Sequence, residues 1–131
     1  MLTGSRAVLR IIAELEKAPA SQRVWFLTTT VPLGAQQFDV LRSQIPSVHS
    51  KFLSGQDNVD AWSSQKVWDE VLLNVRIVVS TYQVLLDALQ HAFVKLESLA
   101  LLVFDEGTHP SIYVATQLTK DSPQLYQEPS W

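Results

Sequence analysis

Residues Leu101 to Glu106 read LLVFDE, an apolar run without a break that ends on two adjacent carboxylates. A strand covered on both faces needs no alternation of polar and apolar residues, so a continuous run marks a buried parallel strand. Its polar residues appear where the chain leaves the sheet, and open α/β folds bind their ligands there. In nucleotide-hydrolysing versions of this arrangement the first carboxylate holds Mg²⁺ through its water shell, and the second polarises the water that attacks the γ-phosphate. Asp105 is therefore the candidate metal-holding acid and Glu106 the candidate catalytic one. The hexapeptide alone is equally compatible with a buried strand that merely ends in acids.

Upstream of this run, helical and strand periods alternate. Val8, Ile11, Ile12 and Leu15 recur at i, i+3, i+4 and i+7, one face of a helix that ends by Lys17, ahead of Pro19. A strand follows from Val24 to Thr28. Thr30 can cap the next helix, where Pro32 sits in the first turn and Phe38, Leu41 and Ile45 carry the apolar stripe to Pro46. After a short strand, Val48 to Leu53, and a polar loop from Ser54, Asp60 can cap a helix that buries Val67, Trp68, Val71 and Leu72. Val75 to Ser80 reads as a further strand, and Thr81 can cap a helix with Leu85, Ala88 and Leu89 inward. Four strands alternating with four helices imply a parallel sheet with right-handed crossovers. Beyond Pro110 the pattern weakens, and only Ile112 to Leu118 looks structured among scattered polar residues, Pro123 and Pro129. The expected division is one domain over residues 1–110 and a poorly ordered tail over 111–131.

Composition bounds the function. A chain of 131 residues with 47% hydrophobic content can build one core. With 10 Lys and Arg against 13 Asp and Glu, the formal charge of −3 argues against a free-standing basic nucleic-acid binder. Contact with nucleic acid would use backbone amides and hydroxyls instead. The absence of cysteine excludes disulfides and thiolate metal sites, and His49, His91 and His109 lack metal-ligand spacing. Arg10, Arg76, Asp87 and Lys95 break the apolar runs short of the ~18 residues of a membrane span, and no signal-peptide pattern opens the chain. The expectation is an intracellular protein, cytoplasmic or nuclear, with no membrane partner.

Several stretches carry a resemblance. Thr3-Gly4-Ser5, TVPLGAQQ from Thr30 to Gln37, VSTYQVLLDAL from Val79 to Leu89 and VFDE from Val103 to Glu106 occur in the order and spacing of the first RecA-like domain of superfamily 2 DExD/H-box helicases. More specifically, WFLTTTVPLGAQQFDVLRSQIP and VRIVVSTYQVLLDAL resemble the N-terminal helicase domain of fungal Dicer-like proteins, over about Met1 to His109. The resemblance implies the α/β fold of a parallel-sheet P-loop NTPase, here incomplete and followed by an irregular tail. It also implies ATP and Mg²⁺ as cofactors and double-stranded RNA as a partner in RNA silencing.

Carried over by position, Asp105 and Glu106 fit the Walker B acids, with Thr108 where the family has His or Asp, and His109 next to it. Thr30, Gln36 and Gln37 fit one motif that touches the RNA strand, with Thr29 in place of its usual proline. Ser80 and Thr81 fit the next, where a hydroxyl and a helix N-terminus meet a phosphate. For Thr30 and Thr81, plain helix capping is the competing reading. Thr3, Gly4 and Ser5 fit the start of the phosphate loop, but they run straight into Arg6 without the Gly-Lys-Thr that wraps and neutralises phosphates. Arg6 could meet a phosphate, though from a loop too short to close round it.

The resemblance thus implies a chain without the strand that precedes the phosphate loop, the second RecA-like domain or the ribonuclease domains. The expected function is that of a fragment of an ATP-binding Dicer-like helicase domain, inactive as an ATPase as it stands. The alternatives are a non-catalytic RNA- or protein-binding remnant of the same scaffold, or an unrelated doubly wound enzyme using Asp105 and Glu106 with a metal. Trp25, Trp62 and Trp68 read as core residues rather than base-stacking ones.

Overall fold

The computed structural model of the chain describes residues 5–54, 64–105, 110–114 and 126–127. Four helices, α1 (Ser5–Lys17), α2 (Val31–Gln44), α3 (Gln65–Val71) and α4 (Tyr82–Gln90), alternate with strands β1 (Arg23–Thr28), β2 (His49–Leu53), β3 (Val75–Thr81) and β4 (Leu99–Asp105). Two further strands follow, β5 (Pro110–Val114) and β6 (Tyr126–Gln127). The sheet order is β2-β3-β1-β4-β5-β6. β1 to β4 pair in parallel, as the alternating pattern requires. Among the described residues no helix is long and apolar enough to cross a membrane.

The unbroken apolar runs have a direct cause in this packing. Along β1, Val24 and Phe26 join a core with Val8, Ile11 and Leu15 of α1 and Leu41 of α2, together with Ile77, Val79, Leu101 and Val103 of the neighbouring strands. Trp25 and Leu27 enter a second core on the opposite face, with Trp68 of α3, Leu85 and Ala88 of α4, and Val78 and Leu102. Every residue from Val24 to Leu27 is at most 1% exposed. Burial of Val8, Ile11 and Leu15 contributes on the order of 5–8 kcal/mol. That outweighs the marginal stability of a lone helix of this length.

Helix ends follow local chemistry. Ser64, not Asp60, caps α3: its hydroxyl accepts from the Lys66 amide, and Asp60 lies outside the described residues. α4 ends in a Schellman motif, in which the amides of Ala92 and Phe93 donate to the carbonyls of Leu89 and Ala88. Ala92 takes the left-handed position with φ 60°, where glycine is usual.

Two strand arginines tie helix ends to the sheet. The Arg76 guanidinium donates to the carbonyls of Gln22, Leu15 and Ala18, gathering the end of α1 and the turn into β1. Arg23 donates to the carbonyls of Val75 and Leu72 at 2.9 Å each, closing the α3–β3 turn. Desolvation is the main cause lowering the Arg23 pKa from its ordinary value; Asp69 opposes it, and the like charge of Arg76 adds to it.

The irregular tail expected after residue 110 needs qualification. Residues 110–114 form β5 antiparallel to β4, with Ile112 opposite Val103, and 126–127 pair with β5. Pro110 stands first in its strand, where its missing N–H is tolerated. A hairpin return needs no crossover helix, so the period that reveals βαβ units gives no sign of it. The rest of 111–131 lies outside the described residues.

Candidate functional site

Three neighbouring parallel strands end on one row. Thr28 of β1 pairs with Thr81 of β3 on one side and with Asp105 of β4 on the other. Two helices start just beyond this row, α2 with Thr30 as its N-cap and α4 with Thr81. α1 ends beside the start of β1, and its 13 residues span ~20 Å, about the length of the six-residue strand. Its Ser5 end therefore lies toward the same edge. Three helix amino ends, each equivalent to roughly half a positive charge, thus lie toward the carboxyl edge of the sheet, those of α1 and α2 on one face and that of α4 on the other. Such an edge favours anions, and phosphate above all.

Positions within this edge differ in what they offer. The Thr30 hydroxyl accepts from the Leu33 amide at 3.3 Å, which is the capping geometry. It remains exposed, as does Gln36. Gln37 is fully buried and so presents no surface to an RNA strand. Ser80 is also fully buried: its hydroxyl accepts from the Trp25 indole at 2.8 Å and donates to the Thr81 carbonyl at 2.9 Å. Both hydrogen bonds of that oxygen lie within the protein, so in this structure it faces the interior and not the edge. Thr81 is partly exposed and its side chain makes no cap bond, so simple capping does not account for it.

Thr28 escaped the sequence reading. It is 2% exposed, and its hydroxyl donates to the Thr30 carbonyl at 3.0 Å, shaping the turn into α2. The hint was a run of three threonines directly after an apolar strand. Trp25 and Trp68 are buried, as expected of core residues, and Trp62 lies outside the described residues. Thr3, Gly4 and Glu106 also lie outside them, whereas Ser5 opens α1.

The residues at this edge fit only part of a Mg²⁺-nucleotide. Asp105 ends β4 at this edge, in register with Thr28, and helix amino ends suit phosphate. In sequence, Thr3-Gly4-Ser5 runs into Arg6 without the lysine and following hydroxyl of the phosphate-loop signature.

Comparison with known proteins bears on the same edge. The profile of the DEAD/DEAH box helicases matches residues 5–110, from the start of α1 to the start of β5. The chain belongs to the DEAD/DEAH box helicase family. It is 59% identical over 103 residues to Dicer-like protein 2 of Cryphonectria parasitica, covering 79% of this chain and 7% of that protein. Dicer-like protein 2 of Pyricularia oryzae is 58% identical over 101 residues, covering 77% and 7%, and that of Neurospora crassa 60% over 102 residues, covering 74% and 7%. The chain thus spans a small part of these relatives. In this DEAD/DEAH helicase chain the box reads Asp105-Glu106-Gly107-Thr108, and its first residue closes the row with Thr28 and Thr81. The parallel sheet with flanking helices is that of a RecA-like helicase domain.

Proposed function

We propose that this chain supplies the helicase scaffold of a Dicer-like RNA-silencing protein, acts inside the cell, engages double-stranded RNA at the carboxyl edge of its sheet, and does not itself hydrolyse ATP. The observation that supports this most is the row Thr81–Thr28–Asp105 beneath the amino ends of α2 and α4. Amides at helix amino ends and short hydroxyl side chains bind backbone phosphate without a basic surface, which suits a chain of formal charge −3. In this reading Thr81, Thr30 and Gln36 are the RNA-facing residues. Asp105 would be the metal-holding acid, and Glu106 the general base in relatives that keep the phosphate loop. ATP turnover is not expected, because charge neutralisation by the loop lysine and its Mg²⁺ is the main catalytic contribution to phosphoryl transfer.

Fluorescence anisotropy with labelled, blunt double-stranded RNA tests the reading. Binding that weakens with salt and is reduced severalfold by Thr81→Asp, in a variant that melts like the parent, supports it. Absence of binding by the folded parent overturns it.

A further inference from the structure

Resting on that reading, we infer that Tyr82 is a stacking platform for an unpaired nucleotide of the RNA. Among the described residues the large exposed apolar side chains are Leu9, Leu73 and Tyr82, at 64%, 69% and 52% exposure. Leu9 lies within α1, and Leu73 belongs to the α3–β3 turn at the opposite edge of the sheet. Tyr82 is the aromatic one, and it stands at the carboxyl edge, directly after Thr81.

Its setting differs from that of a core tyrosine. α4 buries Val84, Leu85 and Ala88, so the helix is anchored without the Tyr82 ring. That ring packs on Phe104, with centroids 5.9 Å apart and planes tilted by 40°. Phe104 in turn packs against the buried cluster that contains Trp25 and Leu102, and it immediately precedes Asp105. An exposed ring held from one side has already lost much of the rotamer freedom that binding would otherwise remove.

The combination matches what nucleic acid offers. A phosphate meets the amino end of α4, and the attached base needs an apolar face within one nucleotide's reach. Bases inside an RNA duplex are closed to such a ring, so the ligand feature is an unpaired base at an end or overhang. Stacking is tolerant of base identity, so the expected preference is for the overhang rather than for its sequence.

The test compares three labelled duplex RNAs by anisotropy: blunt, with a single-stranded overhang, and with the same overhang made abasic. The parent chain should bind the overhang duplex about five- to tenfold more tightly than the blunt or abasic ones, the scale of one stacked base. Tyr82→Ala should abolish that difference while leaving blunt-duplex affinity unchanged, and Tyr82→Phe should preserve it, since stacking needs the ring and not the hydroxyl. Equal affinity of the parent for all three RNAs, or a preference that survives Tyr82→Ala, overturns the inference while leaving duplex binding in place. Failure of the parent to bind any of them overturns both this inference and the reading on which it rests.

Discussion

The indole nitrogen of Trp25 donates to the Ser80 hydroxyl at 2.8 Å, joining two fully buried residues on adjacent strands. The hydroxyl donates in turn to the Thr81 carbonyl at 2.9 Å. A residue aligned with a phosphate-binding motif is thereby spent on holding the motif's backbone in place. Ser80→Ala leaves the indole donor buried without a partner and should lower stability by about 1–3 kcal/mol. Urea denaturation measures the loss, and the folded variant should bind duplex RNA as the parent does. An RNA-specific defect without a stability loss would return Ser80 to the surface chemistry of the site.

Gly34 lies in α2, where glycine ordinarily costs about 1 kcal/mol relative to alanine. Here a Cβ would sit 2.7 Å from the Phe52 ring and 2.9 Å from the Thr28 hydroxyl oxygen. The clash should exceed the helical gain, so Gly34→Ala is expected to be net destabilising by about 1–2 kcal/mol. Combining it with Phe52→Leu should cost less than the sum of the two single changes, as denaturation midpoints would show.

Ala92 holds the left-handed position that closes α4. Ala92→Gly should raise stability by roughly 0.5–1 kcal/mol, because the steric penalty removed exceeds the entropy that glycine adds to the unfolded chain. Thermal unfolding is the measurement, and a lowered midpoint would show that the local strain is absorbed elsewhere.

Arg76 donates to four carbonyls, those of Leu15, Ala18, Pro19 and Gln22, at the end of α1 and the following turn. Arg76→Ala should cost about 1–3 kcal/mol, and Arg76→Lys should recover less than half, since a point donor cannot span that set. Hydrogen exchange should locate the loss at residues 15–22, the segment these carbonyls belong to.

The phosphate loop predicts a gain by insertion. Gly-Lys-Thr-Gln placed between Ser5 and Arg6, together with an apolar strand added ahead of Met1, meets the amino end of a helix already in position, so Mg²⁺-dependent binding of a fluorescent ATP analogue should appear where the parent should show none. The parent should show no ATP turnover with or without duplex RNA. Turnover abolished by Glu106→Gln in the parent would contradict this, as would a folded insertion variant that fails to bind millimolar nucleotide.

What the sequence disclosed follows from what periodicity encodes. The parallel core was legible because burial on both faces writes itself as runs such as Val24 to Leu27 and Leu101 to Phe104. Thr30 as a cap was legible for the same reason, since capping is local. The burial of Ser80 and Gln37 was not legible, because whether a polar side chain faces the interior depends on a partner far along the chain: Trp25 lies 55 residues from Ser80. The Tyr82–Phe104 contact escaped likewise, since no local pattern links the start of one helix to the end of a strand. β5 was hidden because antiparallel addition to an existing sheet leaves no period of its own.

The row Thr81–Thr28–Asp105 has a mechanical consequence. Neighbouring strands are held ~4.8 Å apart by backbone hydrogen bonds, so the first and last positions are roughly 10 Å apart, joined through a single intervening strand. A link that short and that stiff leaves no lever arm: the two ends cannot slide past each other without unpairing β1. A perturbation that softens the pairing of β1 with its neighbours would therefore disturb both ends together.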